Sequence, residues 1–308
     1  MNASLRKAYG EALVEIGAVD KDVVAMDADL GRSTMSCLFQ DAYPGRYFQM
    51  GIAEQNMMST AAGLALGGKK PYASTFAVFA TGRPYDQIRS SIAIPNLHVV
   101  ICGSSAGLSD YGDGKTHQSI DDIAIMRVLP HMAVYCPCDA VATKALVKAL
   151  KDAKGPAYLR VSRADLPVIY PEGEDFAGKG MKRLADGSDV TLFACGTMVH
   201  EALQARLLLE EKGISARVVD LYRIKPIAKE EILAEAAGVK AVVTCEEHNV
   251  YGGMGSAVCE ALAGEGVKTG MVGVRDSYGT SASNYEELLV RYHLKAEDIA
   301  RKAVEMLG

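Results

Sequence analysis

Short apolar runs alternate with helical patterns along nearly the whole chain, and this alternation restricts the fold more than any other feature. The runs have the composition of strands buried on both faces of a sheet. They lie at 23–26, 71–76, 97–102, 133–135, 157–161, 190–194, 215–219, 239–244 and 268–272. Strands that alternate with helices form βαβ units. The sequence therefore predicts an α/β fold with mostly parallel sheets.

The length of the chain and one irregular segment predict two domains. A chain of 308 residues is long for one ordinary domain. Residues 167–187 contain two prolines and several glycines, and they show no clear period. We therefore expect two doubly wound domains, at 1–166 and 188–308, joined by a linker at 167–187.

Composition and charge argue against several classes of function. The net charge of -5 offers no basic stripe for nucleic acid, and no apolar run approaches the roughly 20 residues that a membrane span needs. The segment 1–7 lacks the apolar core of a secretory signal, and seven scattered cysteines suit a reducing compartment. We expect a cytoplasmic protein that binds neither nucleic acid nor membrane.

The segment 49–57 predicts a carboxylate at the start of a closely packed helix. Gly51 suggests a turn, Glu54 follows it, and the run 59–66 consists largely of small residues. A buried carboxylate is costly unless something bonds it. Glu54 is therefore a candidate proton donor or acceptor for a ligand. The alternative is a helix-start glutamate that the helix dipole favours.

A long polar loop at 103–118 contains the densest polar cluster of the chain. Loops of this length inside a compact domain are usually functional. His117 follows a glycine turn at 112–114 and could serve in acid–base chemistry or as a hydrogen-bond donor to substrate. The alternative is a capping residue for a helix that begins near Ser119.

Phe76 and Phe79 are three residues apart and are two of only six phenylalanines. Their rings could form a flat platform on which a heteroaromatic ring stacks. Plain packing in the core is the alternative, and for a phenylalanine pair it is the commoner one.

Four arginines are candidates for binding phosphate, because the guanidinium group offers a bidentate fork. They are Arg6, Arg32, Arg160 and Arg163. Most arginines in proteins are merely solvated, so none of these four is by itself good evidence of a phosphate site. The glycine turn 252–255 could bind an anion at a helix start, but it lacks the dinucleotide pattern, and we expect close helix–strand packing there.

Taken together and in order, these segments resemble the C-terminal half of transketolase. The matching segments are 28–30, 51–55, 74–79, 113–118, 162–167, 246–248 and 252–253. The resemblance covers nearly the whole chain and is closest to the split form, in which the pyrimidine-binding and C-terminal domains make up one subunit. It implies a transferase that uses thiamine diphosphate to move a two-carbon ketol unit from a ketose phosphate to an aldose.

The resemblance also implies a partner. The diphosphate-binding domain and the Mg²⁺ would belong to a separate N-terminal subunit, and an α2β2 heterotetramer with a homodimeric core is expected. The turn 112–114 is similar to the start of the metal motif of thiamine diphosphate enzymes. That motif requires a pair of asparagines downstream, and none follows here. We expect no metal site in this chain.

Carried over residue by residue, the resemblance assigns the cofactor contacts. Glu54 would bond N1′ of the aminopyrimidine and act in catalysis. Phe79, with Phe76 beside it, would stack on the aminopyrimidine ring. Asp29 would support the cofactor pocket where the two subunits meet.

The substrate contacts are assigned in the same way. His117 would hydrogen-bond the donor sugar near its carbonyl and act in catalysis, and Asp113 would bind a sugar hydroxyl. Arg6, Ser33 and Arg163 match positions that hold the phosphate of a pentose phosphate or a similar sugar.

Ser105 departs from the family pattern, because the family usually has a second histidine at this position of the loop. Ser105 would still bind substrate, because a serine can donate a hydrogen bond, but it has less reach than a histidine and no positive charge. We expect the preference for the donor sugar to differ accordingly.

Three alternatives remain at this point. Deoxyxylulose phosphate synthase shares the threonine–histidine–glutamine motif, and the beta subunits of 2-oxo acid dehydrogenases share the two-domain layout. A non-catalytic regulatory or scaffold half-enzyme is the third. A scaffold does not need Glu54, Phe79, Asp113 and His117 together, which argues against that alternative.

Overall fold

The computed structural model describes residues 1–176, 178 and 180–308. Its strands are β1 (Asn2–Ser4), β2 (Val23–Asp27), β3 (Tyr47–Gln49), β4 (Lys70–Phe76), β5 (Val100–Ser104), β6 (Ala133–Tyr135), β7 (Ala157–Arg160), β8 (Asp165–Pro167), β9 (Lys182–Ala185), β10 (Val190–Ala194), β11 (Ala216–Asp220), β12 (Arg223–Lys225), β13 (Ala241–Asn249) and β14 (Lys268–Val274). Its α-helices are α1 (Leu5–Val19), α2 (Gly31–Thr34), α3 (Cys37–Ala42), α4 (Glu54–Leu66), α5 (Ala77–Thr81), α6 (Tyr85–Gln87), α7 (Asp122–Arg127), α8 (Ala140–Leu150), α9 (Met198–Glu210), α10 (Lys229–Ala236), α11 (Met254–Ala261), α12 (Tyr285–Arg291) and α13 (Ala296–Leu307).

The first sheet has the strand order β12-β6-β7-β5-β4-β2-β3. Its neighbours pair in parallel, apart from β12, which runs antiparallel to β6. The strands β2, β4 and β5 are buried almost throughout, because helices cover both faces of the sheet. The α/β prediction is confirmed for this half of the chain.

The second sheet has the order β14-β13-β10-β11-β9, and it is parallel except for β9. β9 lies inside the segment 167–187 that the sequence analysis interprets as a linker. The division into 1–166 and 188–308 stays a prediction.

The two halves of the chain are closely joined. β12 follows the second-sheet strand β11 in the chain but pairs with β6, so that it forms an edge of the first sheet. One apolar cluster also contains buried residues of both sheets, such as Val100 of β5 and Leu192 of β10. The sheets are therefore packed as parts of one structure.

The carboxyl ends of the parallel strands in the first sheet lie at one edge. β2, β3, β4, β5 and β7 all end there, because parallel neighbours point in the same direction. Open α/β sheets bind ligands at this edge. Most of the segments that carry the predicted site residues follow these five strands; Arg6, in α1, and Phe76, the last residue of β4, are the exceptions.

None of the helices within the described ranges has the length and apolarity that crossing a bilayer requires.

Candidate active site

Glu54 is the first residue of α4, as the sequence predicts, and its side chain is only 4% exposed. The turn before it is made by Gly51, whose φ is 67°. Arg83 Nη1 donates a hydrogen bond to Glu54 Oε1 at 2.8 Å. Glu54 also lines a surface pocket of about 540 Å³ together with Ile52 and Arg83. The carboxylate is thus buried within the protein but opens onto a cavity.

Phe76 and Phe79 form the flat pair that their spacing suggests. Phe76 ends β4, and Phe79 lies in the short helix α5 that follows. Their ring centres are 6.2 Å apart and their planes differ by 15°. Phe76 is buried, whereas Phe79 is half-buried, so that part of the Phe79 ring remains accessible.

His117 lies edge-on to both rings. Its centre is 5.3 Å from the centre of the Phe79 ring and 6.3 Å from that of the Phe76 ring. Thr116 Oγ1 lies 3.0 Å from His117 Nδ1. The following helix α7 has Asp121 as its N-cap residue. The structure therefore does not support the alternative in which His117 caps that helix.

The arginines predicted to hold phosphate approach each other beside the aromatic pair. Arg6 Nη1 donates to the backbone oxygen of Ser33 at 2.7 Å. The Arg163 guanidinium lies 6.0 Å from the centre of the Phe76 ring and 3.5 Å from Asp110 Oδ2. Burial and the neighbouring Arg163 lower the pKa of Arg6 below its usual range. An anion placed here would relieve the repulsion between the two guanidinium groups.

Asp113 is exposed at the tip of the loop and interacts with the buried Asp110. Burial raises the pKa of Asp110, Arg163 opposes the shift, and Asp113 adds to it. Asp110 thus connects the exposed Asp113 to Arg163, one of the arginines predicted to bind phosphate.

Asp29 and Ser105 both have left-handed backbone conformations, with φ of 66° and 53°. Asp29 is exposed, its N–H donates to Gln49 Oε1 at 2.8 Å, and it lines a pocket of about 340 Å³ with Ser33. Ser105 is fully buried, and within the described ranges its hydroxyl has no hydrogen-bond partner. The roles of Asp29 and Ser105 stay predictions.

Family profiles match both halves of the chain. Residues 1–168 match the pyrimidine-binding domain of transketolase, and residues 178–299 match the transketolase C-terminal domain.

The chain belongs to the transketolase family.

Individual relatives also match this chain over nearly its whole length. A putative transketolase C-terminal section of Methanocaldococcus jannaschii is 43% identical, over 98% of this chain and 95% of the relative. One of the subunits of an apulose-4-phosphate transketolase of Phocaeicola vulgatus is 38% identical, over 98% of this chain and 97% of the relative. A solved structure described as an inactive beta4 tetramer of a split-gene transketolase is 44% identical with a TM-score of 0.90, covering 100% of this chain and 99% of that one. The resemblance to the C-terminal subunit of a split transketolase and the α/β fold are confirmed.

The sequence analysis missed two residues of this candidate site. Arg83 contacts Glu54 and also lies over the Phe79 ring, with 4.2 Å between the guanidinium carbon and the ring centre. Asp110 pairs with Arg163. No local sequence signal pointed to Arg83, because it lies in the turn that follows α5 and its contacts with Glu54 and Phe79 depend on the tertiary structure.

Two predictions from the sequence concern residues outside this pocket, namely Arg160 and the turn 252–255, and the contacts in the structure bear on both. Arg160 is buried and bonded to Asp122 at 2.8 Å, so it is part of the internal structure and not a phosphate ligand. The turn 252–255 packs closely on β13, where Glu246 accepts hydrogen bonds from the N–H groups of Met254 and Gly255. Close helix–strand packing is confirmed there.

Transketolases use thiamine diphosphate and a divalent metal ion. The residues at the sheet edge fit the aminopyrimidine part of this cofactor. Glu54 Oε2 accepts no hydrogen bond within the described part of the chain, although the carboxylate faces a cavity. The Phe79 ring is only half-buried, and the Arg83 guanidinium covers part of it. Among the described residues, no cluster of three histidine, cysteine or acidic side chains could hold a metal ion.

Proposed function

We propose that this chain supplies the aminopyrimidine-binding half of a thiamine diphosphate site in a two-subunit transketolase. A partner N-terminal subunit would supply the diphosphate-binding half and most of the Mg²⁺ ligands. The reaction would be the transfer of a two-carbon ketol unit from a ketose phosphate to an aldose or aldose phosphate. The names of the relatives support this, since one is named as a single subunit of its enzyme and another comes from a split gene.

One observation carries the proposal more than any other. Glu54, Arg83, Phe79 and His117 form a continuous set of contacts, although three separate segments contribute them. A buried carboxylate near a partly exposed aromatic ring suits a ligand ring with hydrogen-bonding nitrogens. A scaffold protein would have no use for this arrangement.

The residues at the cofactor end would act on the ring. Glu54 would hold a proton at N1′ of the aminopyrimidine, because the carboxylate has a free oxygen and lies out of bulk water. Phe79 and Phe76 would stack on the ring and exclude water from it. Asp29 would support the pocket at the boundary with the partner. When bound, thiamine diphosphate supplies the nucleophilic carbon on which ketol transfer depends.

The residues at the substrate end would bind and orient the sugar. His117 would donate a hydrogen bond near the carbonyl of the donor, and Asp113 would accept one from a hydroxyl group. Arg163, Arg6 and Ser33 would hold the phosphate at the far end, since a bidentate arginine matches its geometry.

Ser105 would influence the preference for the donor sugar indirectly. The resemblance places Ser105 among the substrate contacts, but its side chain is fully buried, so it would shape the loop and not touch the sugar. The names of two relatives refer to different sugars, apulose-4-phosphate and 6-deoxy-6-sulfo-D-fructose, which supports a donor preference that differs between members of the family.

Reconstitution tests the proposal. The purified chain is mixed with a candidate N-terminal subunit, thiamine diphosphate and Mg²⁺, and is offered a ketose phosphate with an aldose phosphate. Ketol transfer supports the proposal, whereas pyruvate consumption favours a deoxyxylulose phosphate synthase or a 2-oxo acid dehydrogenase. Absence of either reaction with every candidate subunit favours the scaffold.

Calorimetry on the isolated chain tests the split arrangement separately. If the partner supplies the diphosphate site, this chain alone should bind thiamine diphosphate weakly. Tight, Mg²⁺-dependent binding by the chain alone would contradict that arrangement.

A further inference from the structure

The loop that carries His117 is closed at its base. We call residues 107–119 the His117 loop. Gly107 and Ser119 exchange two backbone hydrogen bonds, of 2.7 and 3.0 Å. Next to them, Leu108 N–H donates to Glu247 Oε1 at 2.7 Å. The base of the loop is thus fixed both by its own backbone and by a buried side chain of β13.

The tip of the same loop is held by a segment of the C-terminal half of the chain. We call residues 279–282, which follow β14, the clasp. The N–H of Ala282 donates to the backbone oxygen of Tyr111 at 3.0 Å. Ser281 packs against Gly114, where an added Cβ would overlap the serine hydroxyl. The clasp and the loop tip are therefore in direct contact at two points.

Gln118 connects the loop to the clasp with one side-chain amide. Its Nε2 donates to the backbone oxygens of Thr280 at 2.9 Å, Asp110 at 3.3 Å and Leu108 at 3.5 Å. Gln118 is buried, and it is separated from Thr280 by 162 residues in the sequence. An added Cβ at Gly279 would overlap the Gln118 amide oxygen. The amide thus fits between the two segments without spare room.

The clasp is itself fixed at its start. The hydroxyl of Tyr292, just after α12, donates to the backbone oxygen of Tyr278 at 2.9 Å. A loop without such anchors would sample many conformations, and ordering each of its residues costs conformational entropy. Anchoring the loop from a rigid neighbour removes part of that freedom before substrate binds.

We propose that the C-terminal domain positions the substrate-binding loop of this transketolase, with Gln118 as the positioning residue between the clasp and the His117 loop. The clasp keeps His117 edge-on to the Phe76–Phe79 pair and keeps Asp113 beside Asp110. The consequence for activity rests on the proposed function, since it assumes that His117 and Asp113 bind the donor sugar. The mechanical part, a loop ordered by the clasp, does not depend on it.

Two variants test the contact from its two sides, and a third is the control. Gln118→Leu removes the amide donor, and Gly279→Ala displaces the amide from the opposite segment. Ser277→Ala is the matched control, because Ser277 is exposed and precedes the clasp. Two approaches to the same contact keep the test valid even if one variant does not fold.

Hydrogen exchange of the isolated chain is the first measurement. Amides of residues 107–119 should exchange at least about tenfold faster in Gln118→Leu and in Gly279→Ala than in wild type or Ser277→Ala. Exchange in α4 and β4 should be unchanged. Unchanged protection of the loop in both variants would overturn the proposal, whatever reaction the protein catalyses.

Kinetics of the reconstituted enzyme are the second measurement. Misplacing a binding group by about 1 Å can cost about 100-fold in rate. We expect the donor KM to rise by at least about fivefold, with kcat/KM falling by about tenfold or more. The thiamine diphosphate concentration for half activation should stay the same, because Glu54 and Phe79 lie on other segments. A parallel loss of cofactor affinity would indicate general destabilisation and would overturn the positioning role.

The two measurements separate this inference from the proposed function. If the loop is protected in wild type but the reconstituted enzyme shows no ketol transfer, the proposed function is wrong and the ordering of the loop by the clasp remains supported.

Discussion

Arg83 forms an ion pair with Glu54, with 2.8 Å between Nη1 and Oε1. The carboxylate is buried, whereas half of the arginine side chain is exposed. The same guanidinium lies over the Phe79 ring. One side chain therefore joins the proposed proton-holding group to the proposed stacking surface and compensates for the burial of the carboxylate.

The Arg83–Glu54 ion pair leads to a prediction about the free energy of unfolding. Arg83→Met should lower the free energy of unfolding by about 1 kcal/mol, because it leaves a buried carboxylate without its partner, although exposure of the arginine limits the effect. In a Glu54→Gln background the same substitution should cost clearly less. Urea denaturation of the four proteins in this double-mutant cycle measures the coupling. Additive effects would show that the pair contributes nothing, and Arg206→Met, in a surface pair with Glu210, is the control.

Glu54→Gln should lower kcat of the reconstituted enzyme by at least about 100-fold, because an amide cannot exchange a proton with the ring nitrogen. The fold should stay intact, since glutamine has nearly the same shape. Glu265→Gln is the control, because Glu265 is an exposed carboxylate outside this pocket. Near-normal turnover in Glu54→Gln would remove Glu54 from the proposed mechanism.

Phe79→Leu should raise the thiamine diphosphate concentration needed for half activation by about fivefold, because stacking on an aromatic ring is worth about 1 kcal/mol. Phe39→Leu is a useful comparison, since Phe39 is buried in the core at α3. That variant should lose stability and retain its cofactor affinity. Equal effects of the two substitutions on activation would mean that Phe79 acts through packing alone.

Arg163→Ala should raise KM for phosphorylated sugars by about tenfold or more and change KM for unphosphorylated sugars much less. The reason is the loss of a guanidinium group that lies near a second one, Arg6, in a partly buried position. Steady-state kinetics with matched sugar pairs measures the difference, with the distant, exposed Arg275→Ala as control. A uniform rise for both sugar types would show that Arg163 does not bind phosphate.

Asp220 gives a pH prediction. Burial raises its pKa from 3.8 to about 7, although Tyr170 and Cys138 donate hydrogen bonds to Oδ2. The folded state therefore holds this proton more tightly than the unfolded state. The stability that the proton provides is fully present below about pH 4 and is lost as pH rises through about 7.

Asp220→Asn keeps the acceptor for both donors and removes the charge. The variant should gain stability relative to wild type between about pH 5 and pH 8, by a few kcal/mol at the upper end. Urea denaturation at several pH values measures this difference. Asp186→Asn, at an exposed carboxylate, should follow the wild-type profile. Parallel profiles for wild type and Asp220→Asn would show that Asp220 does not titrate in this range.

The sequence was sufficient to predict the fold class and to identify the individual segments that form the candidate site. Alternating apolar runs and helical patterns require parallel βαβ units, and such units place the segments after each strand at one edge of the sheet. The ordered motifs at Glu54, Phe79 and His117 were sufficient to recognise the transketolase family. These features could be predicted because each depends on residues close together in the chain.

What the sequence by itself did not determine are the contacts between those segments. The Arg83–Glu54 pair, the approach of Arg6 to Arg163, the crossing of β12 to the first sheet and the clasp on the His117 loop all join residues distant in sequence. Local periodicity records which face of an element is buried, but not which side chain of another element lies opposite. Only the tertiary packing of the two sheets brings the Gln118 amide to the Thr280 carbonyl, and that packing decided how the loop of the site is held.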